Sequence, residues 1–345
     1  MFSSPAVVGN LLFIGSCSGI FYALDRSTGQ VQWSYDIKRD GNQTSFHGDV
    51  LSTPDLIIVG TDGGTQGQLY AFERAASKVV WKYRASSAAG KDVGVASDII
   101  RKGARVYGVA QGDELFCLDV NDGTVQWSFS SKFNRGKFGW SNSPVLEGNT
   151  VLFGGLDGRL YALNATSGES LWETDLHSPI STTPALVNGS VYVGTKDKHF
   201  YRMRSKDGTV ISSMALDGSP WWHVSIAANS LLAFLFHHDK TPDGIPFAPN
   251  DLISIDLDLK RVHWLNKCPN LSDPFTSVRP CLWNNEVLAG DYHGQLFAFR
   301  LTDGVTAWSH QLSTQPIRGI GMTKDTLYVG TFRGIVYAVE GLTAC

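Results

Sequence analysis

Hydrophobic and polar residues alternate along most of this chain with a period of two. The run Leu186-Val-Asn-Gly-Ser-Val191-Tyr-Val193-Gly is representative: short stretches rich in Val, Tyr and Phe are punctuated by Gly, Asn and Asp. Such alternation belongs to β-strands, whose successive side chains point to opposite faces. No window of a dozen residues carries an apolar stripe at helical spacing. The pattern predicts short strands in groups of four, and the groups repeat.

Each repeat reads in a set order: a Gly, an aromatic three residues on, a small residue, an acid or amide, a second Gly, and a Trp four residues beyond it. It is complete in Gly19-Ile-Phe-Tyr22-Ala23-Leu-Asp25-Arg-Ser-Thr28-Gly29-Gln-Val-Gln-Trp33 and in Gly158-Arg-Leu-Tyr161-Ala162-Leu-Asn164-Ala-Thr-Ser-Gly168-Glu-Ser-Leu-Trp172. The aromatic recurs at Tyr22, Tyr70, Phe116, Tyr161, Tyr201, Phe297 and Tyr337, with a degenerate copy at Ile253, at intervals of 40 to 52 residues. The Trp recurs at Trp33, Trp81, Trp127, Trp172, Trp264 and Trp308. Ser212 replaces it in the fifth copy, and the eighth copy stops short of it.

Four strands at this period are the signature of a propeller blade. The expected fold is therefore all-β, an eight-bladed β-propeller of four-stranded antiparallel blades occupying residues 1–345 as one domain. Blades are expected at about 3–37, 45–84, 93–131, 138–175, 180–216, 221–267, 276–312 and 317–341. In the fourth, the strands are expected at Trp140–Leu146, Thr150–Gly154, Arg159–Leu163 and Ser170–Thr174, with the motif Gly in a tight turn that needs positive φ.

The last blade lacks its outer strand within this chain, because only 341–345 follow Tyr337-Ala338-Val339-Glu340. Either that blade has three strands, or a segment preceding the present sequence once supplied the fourth; the second reading is favoured.

Composition narrows the partners. The net charge is −3, and no long run of like charge exists, so the electrostatic footprint of a nucleic-acid binder is missing. No stretch of 18 apolar residues predicts a membrane span, and no signal peptide opens the chain. The five cysteines, Cys17, Cys117, Cys268, Cys281 and Cys345, form no C-x-x-C or Cys-Cys pair, which leaves zinc and thiol-redox chemistry unsupported. Cys17 and Cys117 are read as small buried hydrophobes, and a Cys268–Cys281 disulfide is an option in an oxidising compartment. G-x-S-x-G, H-E-x-x-H and G-x-x-x-x-G-K are all absent.

The motif Ala23-x-Asp25-x-x-Thr28-Gly29-x-x-x-Trp33 resembles the tryptophan-docking repeat of the pyrroloquinoline-quinone-like (PQQ-like) propeller superfamily, over the full chain. The resemblance implies that Trp33, Trp81, Trp127, Trp172, Trp264 and Trp308 pack between adjacent blades, while the acid, Thr and Gly shape the turn that receives them. One arm of that superfamily contains quinoprotein dehydrogenases, with quinone and calcium on the axis beside a catalytic Asp. The other contains cofactor-free scaffolds such as the lipoprotein component of the outer-membrane β-barrel assembly machinery. This chain looks like the second: it lacks long roofing loops, a vicinal Cys pair and calcium-type carboxylate spacing. No cofactor is expected, and the compartment implied by the resemblance is periplasmic or extracellular.

Candidate sites lie where blades depart from the repeat. Inner strands aligned on Ser4-Pro5, Ser143-Pro144, Thr183-Pro184 and Arg279-Pro280 place small hydroxyl residues at one mouth of the channel. Blades two, six and eight put His47, His223 and Arg318 there instead, with Phe46, Trp140, Trp222 and Arg279 adjacent. Imidazole, guanidinium and aromatic groups converging on an axis could hold a small anionic or aromatic ligand; alternatively they plug the channel. A metal would need more ligands than His47 and His223 with Asp49 or Asp98. Blade six carries a second anomaly, Pro220-Trp221-Trp222-His223 followed by a Pro-rich insertion that starts at His237-His238. That insertion reads as a semi-rigid contact loop, with an exposed Trp221 or Trp222 as the interaction hot spot.

The sequence thus leads to a non-catalytic scaffold, monomeric, that binds a protein or peptide. A quinoprotein dehydrogenase binding PQQ with calcium at the channel mouth is the first alternative. A small-ligand sensor module once fused to another domain is the second.

Overall fold

A computed structural model describes residues 4–41, 45–62, 68–85, 93–132, 142–237, 250–267 and 279–341. Its strands form seven four-stranded sheets and one three-stranded sheet, each an antiparallel meander in chain order. This is the eight-bladed propeller that the repeat predicts. Blade one comprises Ala6–Val8, Leu11–Gly15, Ile20–Asp25 and Val31–Asp36; blade four comprises Val145–Glu147, Thr150–Gly154, Arg159–Asn164 and Ser170–Asp175. Blade eight has only Ile317–Met322, Thr326–Thr331 and Val336–Glu340.

The second and third strands of each blade are nearly all buried, and they supply the inter-blade core. Phe13, Phe21, Tyr70, Phe72, Phe116, Phe153, Tyr161, Tyr192 and Phe200 are all at most 1% exposed. Outer strands alternate buried and exposed because only one of their faces meets a neighbour, as the pattern of Val31–Asp36 shows.

The repeat motif acquires a mechanical meaning. In six blades the small residue pairs directly with the Trp on the outer strand: Ala23 with Trp33, Ala71 with Trp81, Cys117 with Trp127, Ala162 with Trp172, Ser254 with Trp264 and Ala298 with Trp308. All six small residues are 0% exposed. A β-bulge follows the small residue in each of these pairs, and it turns the indole toward the next blade.

There the ring lies on the second motif Gly of that next blade. A Cβ added to Gly123 would fall 2.6 Å from the Trp81 ring, and one on Gly168 would fall 2.6 Å from Trp127. Trp172 covers Gly208, and Trp264 covers Gly304, in the same way. The indole N–H then donates to a backbone carbonyl just before that Gly: Trp81 to Val120 at 2.9 Å, Trp127 to Ala165 at 3.2 Å and Trp264 to Leu301 at 2.9 Å. Gly is required twice over, since these positions also have φ near +70°.

The acid holds the receiving turn. Asp25 Oδ1 accepts from the Ser27 and Thr28 amides at 3.0 and 2.9 Å, and Asn164 does the same for Thr166 and Ser167. Hydrogen bonding from Ser27 and then Thr28 keeps the Asp25 carboxyl below its usual range.

Two motif tryptophans depart from this scheme. Trp33 meets an aromatic cluster of Phe13, Phe21 and Phe72, because blade two has Ser77 where the others have Gly. Trp308 donates to Glu286 Oε2 at 2.8 Å within its own blade.

Trp81 is 6% exposed and fully docked, so Trp81→Ala should lower unfolding free energy by about 3 to 5 kcal/mol. Gly123→Val should cost at least as much, through both positive φ and the loss of the indole's seat. Urea unfolding of the two variants, singly and combined, checks this: if they report one interface, the double variant loses much less than the sum.

Candidate functional site in the central channel

Proline decides where the channel-lining strands differ. Blades one, four, five and seven enter their inner strands through Pro5, Pro144, Pro184 and Pro280, and those strands are three residues long: Ala6–Val8, Val145–Glu147, Ala185–Val187 and Cys281–Trp283. Proline has no N–H to give the ladder. Blades two, six and eight lack it, and their inner strands extend to Ser45–Ser52, Ser219–Ala227 and Ile317–Met322. Each of the longer strands breaks register in a bulge, and His47, Trp222 with His223, and Arg318 sit at those bulges. The departures read from the sequence are therefore departures of backbone as well as side chain.

The pre-strand hydroxyls and carboxylates lace the blades together around the axis. The Ser4 amide donates to Asp49 at 2.9 Å, the Asp49 amide to Asp98 at 3.0 Å, the Asp98 amide to Ser143 Oγ at 2.8 Å, and the Ser143 amide to Thr183 Oγ1 at 3.2 Å. The Thr183 amide continues to the Trp222 carbonyl at 2.7 Å, and Ser225 Oγ donates to the Pro280 carbonyl at 2.6 Å. The belt thus runs from blade one to blade seven.

Arg279 of blade seven crosses the channel. Its guanidinium donates to Asp49 at 2.7 Å and Asp98 at 3.0 Å, in blades two and three. His223 Nε2 lies 4.0 Å from Asp98. Burial opposes the charge on Arg279, and the two carboxylates outweigh it, raising its pKa above the ordinary value. Its side chain keeps 41% of its surface open to the channel, so water reaches this cluster.

The histidines are different. His47 and His223 are buried, and desolvation, aided by Arg318 for His47 and by Arg279 for His223, pushes both pKa values down to about 3. Both are neutral at physiological pH. Arg318 is buried, with its guanidinium 5.1 Å from the Phe332 ring centre. Cys281 is buried behind the cluster; its Sγ lies 3.2 Å from the Arg279 carbonyl, and burial lifts the thiol to about 12. Cys281 carries a free thiol; Cys268 lies outside the described residues.

Of the residues read as one pocket, Arg279 and His223 meet at Asp98, with Trp222 against the His223 ring at 6.0 Å. Trp140 and His238 lie outside the described residues. Trp221 and Trp222 are half-buried, which corrects their reading as exposed: they belong to the inner strand, Trp221 packing on Phe236 at 5.7 Å and under Lys196 at 5.8 Å. Trp222 has φ +63° and bonds to blade five through both its backbone groups. His237 is held by Asp251 at 3.1 Å. Sequence reasoning missed the cross-channel pairing, although one Arg and two Asp at equivalent ring positions were its signal.

Calcium and quinone do not fit the described axial residues. Arg279 holds one oxygen of each carboxylate, and backbone amides hold the others. A cation there would have to displace a cation. Among the described residues no group of three His, Cys, Asp or Glu is placed to hold a metal ion.

The fold and this laced axis define a PQQ-like repeat propeller. A family model described as outer membrane protein assembly factor BamB matches residues 2–128, 43–154 and 130–341, and the chain belongs to that family. Among curated relatives, the assembly factor BamB of Yersinia pestis is 23% identical over 239 residues, covering 67% of this chain and 58% of that protein. BamB of Escherichia coli is 25% identical over 176 residues, covering 49% and 43%. The chain thus matches about half the length of these relatives.

Among solved structures, BamB from Moraxella catarrhalis superposes with a TM-score of 0.76 at 18% identity, covering 98% of this chain and 96% of that one. Quinohemoprotein alcohol dehydrogenase from Comamonas testosteroni superposes at 0.69 with 14% identity, over 96% and 70%. At these identities the superpositions establish the fold.

Arg279→Leu should leave Asp49 and Asp98 unpaired and cost about 1 to 3 kcal/mol, less than a fully buried pair because water reaches the cluster. Adding Asp98→Asn should restore part of the loss in a double-mutant cycle. The histidines set a pH dependence: with folded pKa near 3 against about 6.5 unfolded, their contribution is full above about pH 6.5. It is lost as pH falls, at a limiting slope of about 1.4 kcal/mol per pH unit each. Urea unfolding between pH 7 and 4 should show the decline, and His223→Gln should make it shallower.

Proposed function

We propose that this chain is a non-catalytic scaffold that binds protein partners, acting in the periplasm with the outer-membrane assembly factors it is related to. The observation that carries this reading is the axis itself. In the dehydrogenase arm the axis holds cofactor beside a catalytic Asp; here the two axial carboxylates are spent on Arg279 and the two histidines are neutral and buried. A constellation committed to holding blades together has no proton or nucleophile to offer. Membership of the BamB family supports the same reading, as does the name outer membrane protein assembly factor carried by the relatives. Among the described residues no helix is long and apolar enough to cross a membrane.

Partner contact is assigned to the blade-six face. Trp221, with Lys196 over its ring, combines the aromatic and cationic character that interaction hot spots favour, and His237 with Asp251 anchors the base of the insertion that begins at 238. Affinity capture with cross-linking from a cell-envelope fraction should retain a protein partner, and Trp221→Ala should weaken that capture at least about tenfold with little change in melting temperature. Calorimetric titration with pyrroloquinoline quinone and calcium should give no heat. Micromolar binding of the quinone, lost in His223→Ala, would overturn the scaffold reading.

A further inference from the structure

The seam between blade eight and blade one is built like the other seams, but one component differs. Everywhere else an outer strand closes the blade, and where the motif is complete its Trp sits between a small residue of its own blade and a Gly of the next. In blade eight the corresponding small residue is Ala338, on Val336–Glu340, which pairs only with Thr326–Thr331 among the described residues. Ala338 is exposed, whereas its six counterparts are completely buried.

Across the seam the corresponding Gly of blade one is Gly29. It keeps the docking conformation, with φ +71°, yet nothing lies within 4 Å of where its Cβ would stand. In Gly123, Gly168, Gly208 and Gly304 that space is filled by the preceding blade's indole. The carbonyl corresponding to those of Val120, Ala165 and Leu301 is that of Arg26. Between the two blades runs a groove of about 580 Å³, lined by residues that include Ile14, Cys17, Tyr22, Leu24, Phe332 and Val336.

We propose that this seam is a strand-docking site, taking in trans an extended segment of a partner protein that adds as the fourth strand of blade eight and lays a tryptophan between Ala338 and Gly29. The proposal rests on the scaffold reading and gives it a second binding mode. An unpaired strand edge offers main-chain hydrogen bonds to any extended segment, and the pockets beside it select the side chains. Here the molecule states the selection itself: its own outer strands carry alternating residues around one Trp, and Ala338, Gly29 and the Arg26 carbonyl reproduce the receiving half. A second copy of the chain is a poor donor, because the outer strands of blades one to seven are each paired in their own blade.

The test uses the full chain and a synthetic peptide copying Thr28 to Asp36, with a fluorophore at its N-terminus. Binding should appear by anisotropy with a Kd on the order of 10 µM. It should weaken at least about tenfold when the peptide Trp is replaced by Ala, or when the protein carries Ala338→Arg, an exposed change on the free edge that leaves the melting temperature unchanged. Bound peptide should also slow alkylation of the Cys17 thiol, which lines the groove and is free, by about fivefold or more, read by mass spectrometry.

Absence of binding at millimolar peptide, equal binding of the Trp-free peptide, or indifference to Ala338→Arg would overturn the proposal. So would a Cys17 already protected in protein purified from its native cells without a bound partner, since the groove would then be filled from within the molecule. Partner capture that is lost in Trp221→Ala while the peptide fails to bind would sink this site and leave the scaffold reading intact.

Discussion

Everything in this molecule depends on a tryptophan from one blade lying on a glycine of the next. A propeller has no single core; its blades must each bury two faces against neighbours, so the interface between blades is the folding unit that matters. The Trp on Gly contact supplies this interface with apolar area and a directional hydrogen bond at once. Its geometry requires a small residue behind the ring, a bulge to turn it, and a positive-φ glycine in front of it. These requirements are what the repeat spells.

The axis follows a different logic from the rim. At the rim, contacts repeat; along the channel, side chains differ from blade to blade, and the belt from Ser4 to Pro280 uses amide, hydroxyl and carboxylate in turn. Arg279 converts that belt into a cross-brace by bonding to two blades on the far side. A charged group inside a channel can look like a binding site when read alone. Its partners decide, and here both belong to the protein. The related dehydrogenases and this chain therefore share a fold while differing in what the same space is committed to.

Blade eight shows what a repeat protein exposes when one interface is left half made. Glycine retained at position 29 and alanine at 338 have no local reason for their identity, since neither presses on anything. Their identity makes sense as the receiving half of a contact, and that inference was possible because the same contact is drawn complete elsewhere in the molecule.

The fold was legible in the sequence because a propeller is a local code repeated: alternation marks strands, Gly and Asp mark turns, and a constant offset from Tyr22 to Trp33 marks the rim contact. Blade boundaries, the docking role of Trp81, Trp127, Trp172 and Trp264, and the missing outer strand all follow from positions along the chain. Tertiary structure alone decided the channel. Arg279 lies 230 residues from Asp49 and 181 from Asp98, and whether such groups meet depends on channel width, bulge direction and side-chain reach, none of which leaves a period in the sequence. The same reason explains Trp221 and Trp222. Their aromatic character was visible, but a bulge opposite Phe234 to Ala233, created where no proline shortens the strand, set how far they are covered.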